Sequence, residues 1–223
     1  MAGENLITGI DIGTTKVCTV IAEVEHGRVP QIVGVGLSRS EGVKRGAVVN
    51  VEKTVEAITR SVEEAERMAG AKVDAAYVGI AGSHIQGVMS TAVIAVSRAE
   101  DEITRDDLAR VLDQAQAISI PSDRRVLHVL PIEFAVDDQD GVRDPVGMSG
   151  VRLEAQVHII TASATSARNV EKCVHRAGLE VKELVLESFA SSFATLEDEE
   201  KELGVLLIDA GGGTTDFTLF LGG

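Results

Sequence analysis

Two short segments of this 223-residue chain carry residues suited to holding a phosphate group. Ile10-Asp11-Ile12-Gly13-Thr14-Thr15 is followed far along the chain by Ile208-Asp209-Ala210-Gly211-Gly212-Gly213-Thr214-Thr215. Each copy reads as an apolar strand ending in Asp, then glycine, then two threonines, then a second strand. A glycine turn brings bare backbone N–H groups close to an anion, and such concave nests bind phosphates. Threonine hydroxyls add donors. An Asp at each strand end puts a carboxylate where it can hold Mg²⁺ through water, since Mg²⁺ keeps several waters and prefers one or two carboxylates plus phosphate oxygens. One Gly-Thr-Thr hairpin is a common turn; two matched copies point to a shared site. Lys16 suits a phosphate partner and equally the exposed end of a turn. Asp216 continues the second motif, but its side chain can equally sit in the following strand without touching a ligand.

Other chemistries find little support. There is no GxxxxGK[ST] loop and no GxGxxG after a strand. His26, His84, His128, His158 and His175 are scattered without metal-ligand spacing. The Asp137-Asp138-Gln139-Asp140 run reads as a solvated loop with at most weak Ca²⁺ recruitment. Cys18 and Cys173 form no CxxC pair and are expected as two reduced, buried thiols in a cytosolic protein, with Cys18 packing as a small hydrophobe. Lys plus Arg number 21 against 35 Asp plus Glu, a net charge of −14. That argues against nucleic acid as a partner and against a polybasic membrane surface. Aromatic residues make up 3% with no Trp, so the core must be aliphatic. The segment MAGENLITGID shows no secretion signal. Ala75 to Ser97 contains no Asp, Glu, Lys or Arg, but its Gly and polar content suits two buried strands around a turn better than a membrane span.

The elements that must position the two motifs follow from periodicity. Leu6–Ile12, Val17–Val24 and Gln31–Leu37 read as an antiparallel meander. After the loop EGVKRGAVVN, residues Val51, Val55, Ile58, Val62 and Ala65 mark an amphipathic helix between an Asn50 cap and a Gly70 stop. A strand Ala75–Ala81 follows. Ser83 to about Thr161 reads as a separate small unit. It holds a strand Ile85–Ser97 and a helix from near Thr104, with Leu108, Val111, Leu112, Ala115 and Ile118 on one side and Asp107 completing an approximate capping box. Pro121 is expected to end that helix. Strands Val126–Val136 and Arg152–Ile160 are joined by the loop DDQDGVRDPVGMSG. Helix–strand alternation then resumes. A stripe of Val170, Cys173, Val174 and Ala177 closes at Gly178, and a strand Leu179–Leu186 follows. Then come a helix Ser188–Leu196, an acidic exit loop EDEEKE, a buried strand Leu203–Asp209 and a strand Asp216–Leu221.

Paired hairpins of this kind resemble the actin-like ATPase superfamily, in which the two hairpins grip nucleotide phosphates from opposite sides. GIDIGTTKVCTVIAEV, EGVKRGAVVNVEKTVEAI, LHVLPIEFAVDDQDGVRDPVGMSGVRLEAQVHIIT, and GLEVKELVLESFASSFATL followed by GVLLIDAGGGTTDFTLF together resemble the bacterial cell-division FtsA family. The DPVGMSGVRLE segment is the most specific part. The resemblance implies an α/β fold: an actin-like (ribonuclease H-like) domain 1 with an inserted α+β 1C (SHS2-type) subdomain and the start of a second actin-like domain. The implied boundaries are 1–82 and 162–202 for subdomain 1A, 83–161 for 1C, and 203–223 for the start of 2A. ATP and Mg²⁺ are the implied cofactors. Asp11, Gly13, Thr14, Thr15 and Lys16 match the first phosphate motif; Asp209, Gly211, Gly212, Gly213, Thr214 and Thr215 match the second. Asp11 and Asp209 would hold Mg²⁺ through water. Glu187 to Ala194 matches the connecting helix region, although Ser188-Phe189 stands where the family usually has Pro and an aliphatic residue.

The resemblance further implies self-association into filaments and contacts with later division proteins through 1C. It implies links to FtsZ and to the inner face of the cytoplasmic membrane at the division site, with ATP as a conformational clamp and hydrolysis slow or incidental. The adenosine-binding motif, most of the second domain, subdomain 2B and the membrane helix would lie beyond Gly223. The chain alone is therefore expected to bind ATP poorly and to miss FtsZ and membranes. A PilM-type pilus-assembly adaptor and an actin-fold sugar kinase are the competing readings; a kinase would need a substrate-orienting base, and none can be placed.

Overall fold

The computed structural model describes residues 5–96 and 102–222. Val, Ile and Thr alternate between Leu6 and Arg39, and this period-two pattern produces three consecutive strands. They are β1 (Leu6–Ile12), β2 (Lys16–Glu23) and β3 (Gln31–Arg39). They pair antiparallel, Ile12 opposite Val17 and Lys16 opposite Arg39. The expected loop after β3 contains a two-residue ladder, β4 (Val43–Lys44) with β5 (Ala47–Val48), turned through Arg45 and Gly46, both at positive φ. Helix α1 (Val51–Ala69) begins at Asn50, whose Oδ1 accepts the Lys53 N–H at 3.0 Å, and stops at Gly70 in the left-handed conformation. Both ends fall where the sequence places them.

Strands β6 (Ala75–Ile80) and β11 (Glu180–Leu186) extend the sheet on its other side, giving the order β11-β6-β1-β2-β3. β6 runs parallel to β1 and to β11. Helix α1 packs on one face of this sheet. Thr19 and Ser61 hydroxyls meet there at 2.8 Å, both fully buried. Gly36 on β3 makes the close approach possible, since a Cβ there would run into the Ser61 carbonyl of α1. Helix α3 (Ala164–Arg176) adds Val170, Cys173 and Val174 to the core, and Gly178 at φ +93° turns the chain back into β11. Helices α4 (Glu187–Thr195) and α5 (Asp198–Leu203) lead to the hairpin β12 (Val205–Ala210) and β13 (Thr215–Phe220).

By packing, the chain divides into two units: Met1–His84 with Ala164–Gly223, and Ile85–Ser163. The second unit is an antiparallel sheet in the order β7-β10-β8-β9. Its elements are β7 (Gln86–Ala95), α2 (Arg105–Gln116), β8 (Arg124–Val136), β9 (Gln139–Val142) and β10 (Arg152–Ser163). Helix α2 closes one face of the sheet over a core that includes Ile94, Val111, Phe134, Leu153 and Val157. Its capping box is formed as anticipated: the Thr104 N–H donates to Asp107 Oδ2 at 3.0 Å and the Asp107 N–H to Thr104 Oγ1 at 3.4 Å. Among the described residues, no helix is long and apolar enough to cross a membrane.

Several expectations require correction. Helix α2 ends at Gln116, well short of Pro121, so Ile118 joins the core from the segment after the helix. The polar segment after Val136 contains β9, an added edge strand. The acidic run is helix α5, nucleated by a capping box between Glu197 and Glu200. β6 and β7 flank a turn as expected but belong to different sheets, and β7 is exposed along much of its length. β12 is not a buried strand: Leu206, Ile208, Phe217 and Leu219 are more than half exposed on one face of its hairpin. The expected strand end at Ser97 and the domain end at Gly223 lie outside the described residues.

Replacing Gly36 by Ala should lower stability by about 1–3 kcal/mol or more through overpacking against α1, read as a lower urea midpoint. Gly9→Ala, where a Cβ meets nothing within 4 Å, should stay within about 0.5 kcal/mol of the parent.

Candidate functional site

Both glycine turns are closed by the same hydrogen bond. In the first, the Gly13 N–H donates to the Lys16 carbonyl at 3.0 Å; in the second, the Gly211 N–H donates to the Thr214 carbonyl at 2.9 Å. The β1–β2 and β12–β13 hairpins therefore superpose Gly13 on Gly211, Asp11 on Asp209 and Cys18 on Asp216. The threonines do not superpose. Thr14 and Thr15 stand where the second loop has Gly212 and Gly213, and Thr215 corresponds to Val17. The repeat is one of backbone and carboxylate; the Gly-Thr-Thr letters of the two copies are offset by two residues.

The two tips face each other. A Cβ on Gly212 would collide with the Thr15 side chain, and one on Gly213 with the Thr14 side chain. Only glycine admits the threonines of the opposite loop at this distance. Behind the tips lies a cavity of about 680 Å³, within the range usual for small-molecule sites. Asp11, Gly13, Thr14, Thr15, Lys16, Asp209, Gly211, Gly212, Gly213 and Thr214 all line it. Thr215 does not; it is exposed at the start of β13, paired with Ala210. Asp216, left open by the sequence, does line it. The alternation of β1 and β2 explains the placement: Ile10, Ile12, Val17 and Ile21 turn into the core, leaving Gly9, Asp11, Cys18 and Val20 on the opposite face as part of the cavity wall. Cys18 is thus half-buried in the cavity and not a packed core thiol; Cys173 is fully buried.

Two further side chains, outside the glycine–threonine motifs, line the cavity. Glu187 opens α4 directly after β11 and enters the cavity across Gly79, where a Cβ would meet the Glu187 Cγ at 2.9 Å. Ser191 stands one turn further along α4 and donates to Asp209 Oδ2 at 3.1 Å. The available signal was an unpaired acid at the junction of an apolar strand and a helix, with a serine at helical spacing.

Electrostatics tie these groups together. Burial raises the Asp11 pKa; Lys16 opposes this and Asp209 adds to it. Glu187 is pushed from 4.5 up to about 8, first by burial and then by Asp11, Asp216 and Asp209. Burial and the nearby Asp11 carboxylate also raise the Cys18 thiol. Lys16 is the only cationic side chain on the cavity wall among the described residues. Bare glycine amides, threonine donors and mutually repelling carboxylates fit a phosphate chain accompanied by a divalent cation. Among the described residues, no three His, Cys, Asp or Glu side chains converge closely enough to hold an ion directly. A cation here would be held largely by phosphate oxygens and water.

A family model described as the SHS2 domain inserted in FTSA matches residues 82–161. The chain is 49% identical over 218 residues to the cell division protein FtsA of Pseudomonas aeruginosa, covering 98% of this chain and 52% of that protein. It is 47% identical over 220 residues to FtsA of Borreliella burgdorferi, covering 99% and 53%. Along nearly its whole length the chain is similar to proteins named cell division protein FtsA. It spans about half the length of the curated FtsA relatives it matches. Among solved structures, a PilM–PilN type IV pilus biogenesis complex aligns with a TM-score of 0.63 at 16% identity, covering 98% of this chain and 58% of that one. The ethanolamine utilization protein EutJ from Carboxydothermus hydrogenoformans aligns at 0.51 and 17%, covering 99% and 49%. Both show the fold alone. The actin-like fold with an SHS2-type insert is thereby shown for this chain, and the pilus likeness does not favour the adaptor reading over FtsA.

The Glu187 shift sets a pH dependence. Between pH 4.5 and about 8 the folded chain keeps a proton that the unfolded chain has lost, so stability falls as pH rises through that window. In cation-free buffer Glu187→Gln should exceed the parent in stability above pH 8, on the order of 2 kcal/mol for a partly buried group, with the gap closing toward about pH 5. Thermal unfolding across this range checks it. A gap that does not change with pH contradicts the assignment.

Proposed function

We propose that this chain is the nucleotide-holding half of an actin-like cell-division protein that binds ATP with Mg²⁺. The observation that carries the reading is the approach of Gly212 and Gly213 to Thr15 and Thr14 across the cavity. Two glycine tips on opposite sides of one phosphate chain can donate to it together, and neither loop alone encloses it. Gly13, Gly211, Gly212 and Gly213 offer backbone donors. Thr14, Thr15 and Thr214 add hydroxyls, and Lys16 supplies a compensating positive charge. Asp11 and Asp209 would orient waters on the cation, with Ser191 holding the Asp209 carboxylate in place. When bound, the cation would neutralise the acids of the cavity together with the phosphates. Hydrolysis is expected to be slow or incidental, the nucleotide acting as a clamp across the two hairpins.

We assign residues 1–82 and 162–202 to subdomain 1A, 83–161 to 1C and 203–223 to the beginning of 2A. The division role rests on sequence similarity to proteins named FtsA along nearly the whole chain. In that role the complete protein self-associates into filaments, links FtsZ filaments to the inner face of the cytoplasmic membrane, and recruits later division proteins through 1C. The links to FtsZ and membrane would lie in regions outside these 223 residues.

A chimera tests the reading. This chain replaces the corresponding half of Pseudomonas aeruginosa FtsA in cells depleted of their own copy. Division should be restored by the parent sequence and lost with Asp209→Asn, at equal protein levels. A chimera that folds but leaves cells filamentous contradicts the division role. Full rescue by Asp209→Asn contradicts the role assigned to the cleft.

A further inference from the structure

Among the described residues, each edge strand longer than two residues carries a device against pairing with another chain, except one. In β3 the Leu37 N–H is already taken by Glu64 Oε2 at 2.8 Å. β9 carries Asp140, β11 carries Glu180, Lys182 and Glu183, and β12 and β13 carry Asp209 and Asp216. Charges on edge strands discourage intermolecular pairing. β7 has ten residues and no charge, and it lies at the edge of the second unit's sheet. Among the described residues it is the only edge strand longer than two residues without an ionisable side chain.

Part of this edge is closed. Gln114 Nε2 on α2 donates to the Val93 carbonyl at 3.3 Å, and Arg110 Nη2 donates to the Ala95 carbonyl at 3.1 Å. On the other side of the strand, Thr161 Oγ1 of β10 donates to the Gln86 carbonyl at 3.2 Å. In-plane peptide groups alternate along a strand. The even-numbered residues therefore face β10, and Gly87, Met89 and Thr91 present their N–H and C=O groups to the open edge. Their residues are exposed, and Met89 is 52% accessible. Side chains alternate as well: Ser90, Ala92 and Ile94 turn toward α2, which puts Met89 and Thr91 on the sheet's other face.

We propose that β7 pairs antiparallel with β7 of a second copy of this chain, about a twofold axis passing between the two Met89 residues. Gly87 then lies opposite Thr91 of the other copy and Met89 opposite Met89. The three residue pairs exchange about six N–H···O bonds, and two four-stranded sheets become one. Charge selects a second copy as the occupant. A symmetric pair sets each side chain against its own strand, so any ionised residue in the overlap would face like charge at close range. The chain carries −14 overall, and β7 itself brings none of that charge into the contact. Gln114 and Arg110 stop the pairing beyond Thr91 and so fix its register. The arrangement is a closed pair, distinct from an open head-to-tail filament, and it rests on the second unit alone, independently of the nucleotide reading.

The overlap is short, so the pair should be weak, with a dissociation constant on the order of 100 µM. Sedimentation equilibrium of the 223-residue chain across that range should show monomer and dimer. Met89→Lys and Met89→Glu, each exposed and outside the cavity, should each be monomeric with parent-like circular dichroism. An equimolar mixture of the two should regain a heterodimer at least as tight as the parent pair, because the twofold sets Lys against Glu. A parent that stays monomeric throughout overturns the proposal and leaves the edge to some other strand. Association that Met89→Lys leaves unchanged overturns it too, and places the contact elsewhere, such as the exposed face of β12–β13. A mixture that fails to recover overturns the twofold alignment.

Discussion

Carboxylates gathered in one cavity with too little opposing charge repel one another, and this repulsion is the constraint on which the first unit's architecture turns. Asp11, Asp209, Asp216 and Glu187 line the same space, and Lys16 is the one described cation on its wall. The fold holds them there regardless. The hairpin backbones fix Asp11 and Asp209 at equivalent points, Gly79 clears a path for Glu187, and Ser191 donates to Asp209. Burial first, and then the neighbouring acids, let Glu187 retain its proton to about pH 8. A cation bound with a phosphate chain would convert the repulsion into attraction, which is why the proposed ligand brings positive charge along with negative.

The second requirement is geometric. Two hairpins from opposite ends of the sequence must meet tip to tip, and their side chains divide the labour. The first loop carries the threonines; the second carries glycines where those threonines need room. This complementarity explains why the repeat is imperfect in letters while its backbone turns match. Identical loops would clash if both carried threonine and would lose hydroxyl donors if both carried glycine.

Much of this could be read from the sequence because it is locally encoded. Asn50, Thr104 with Asp107, Gly70 and Gly178 mark element ends through groups within a few residues of each other. The meander β1–β3 follows from period-two alternation and short turns. What escaped depends on partners distant in sequence or on residue types that usually signal something else. Acidic residues suggested a solvated loop, yet Glu197 and Glu200 cap each other and start α5. An apolar run suggested burial, yet Leu206 and Ile208 have no cover on their side of the hairpin among the described residues. Ten of the eleven motif residues lie on the cavity wall because strand alternation and a strand-end Asp are local facts. Glu187 is not legible locally because its burial and its three acidic neighbours are brought about by the sheet and the second hairpin, and Thr215 shares letters with Thr15 but the hairpin register sets it at the position of Val17.

In the proposed complex both tips take hold of one phosphate chain. Amide NMR of the chain titrated with Mg²⁺ and ATP addresses it directly. The amides of Gly13 to Lys16 and of Gly211 to Thr214 should move together along a single weak binding curve. Movement of one loop without the other, or two separate curves, would contradict it.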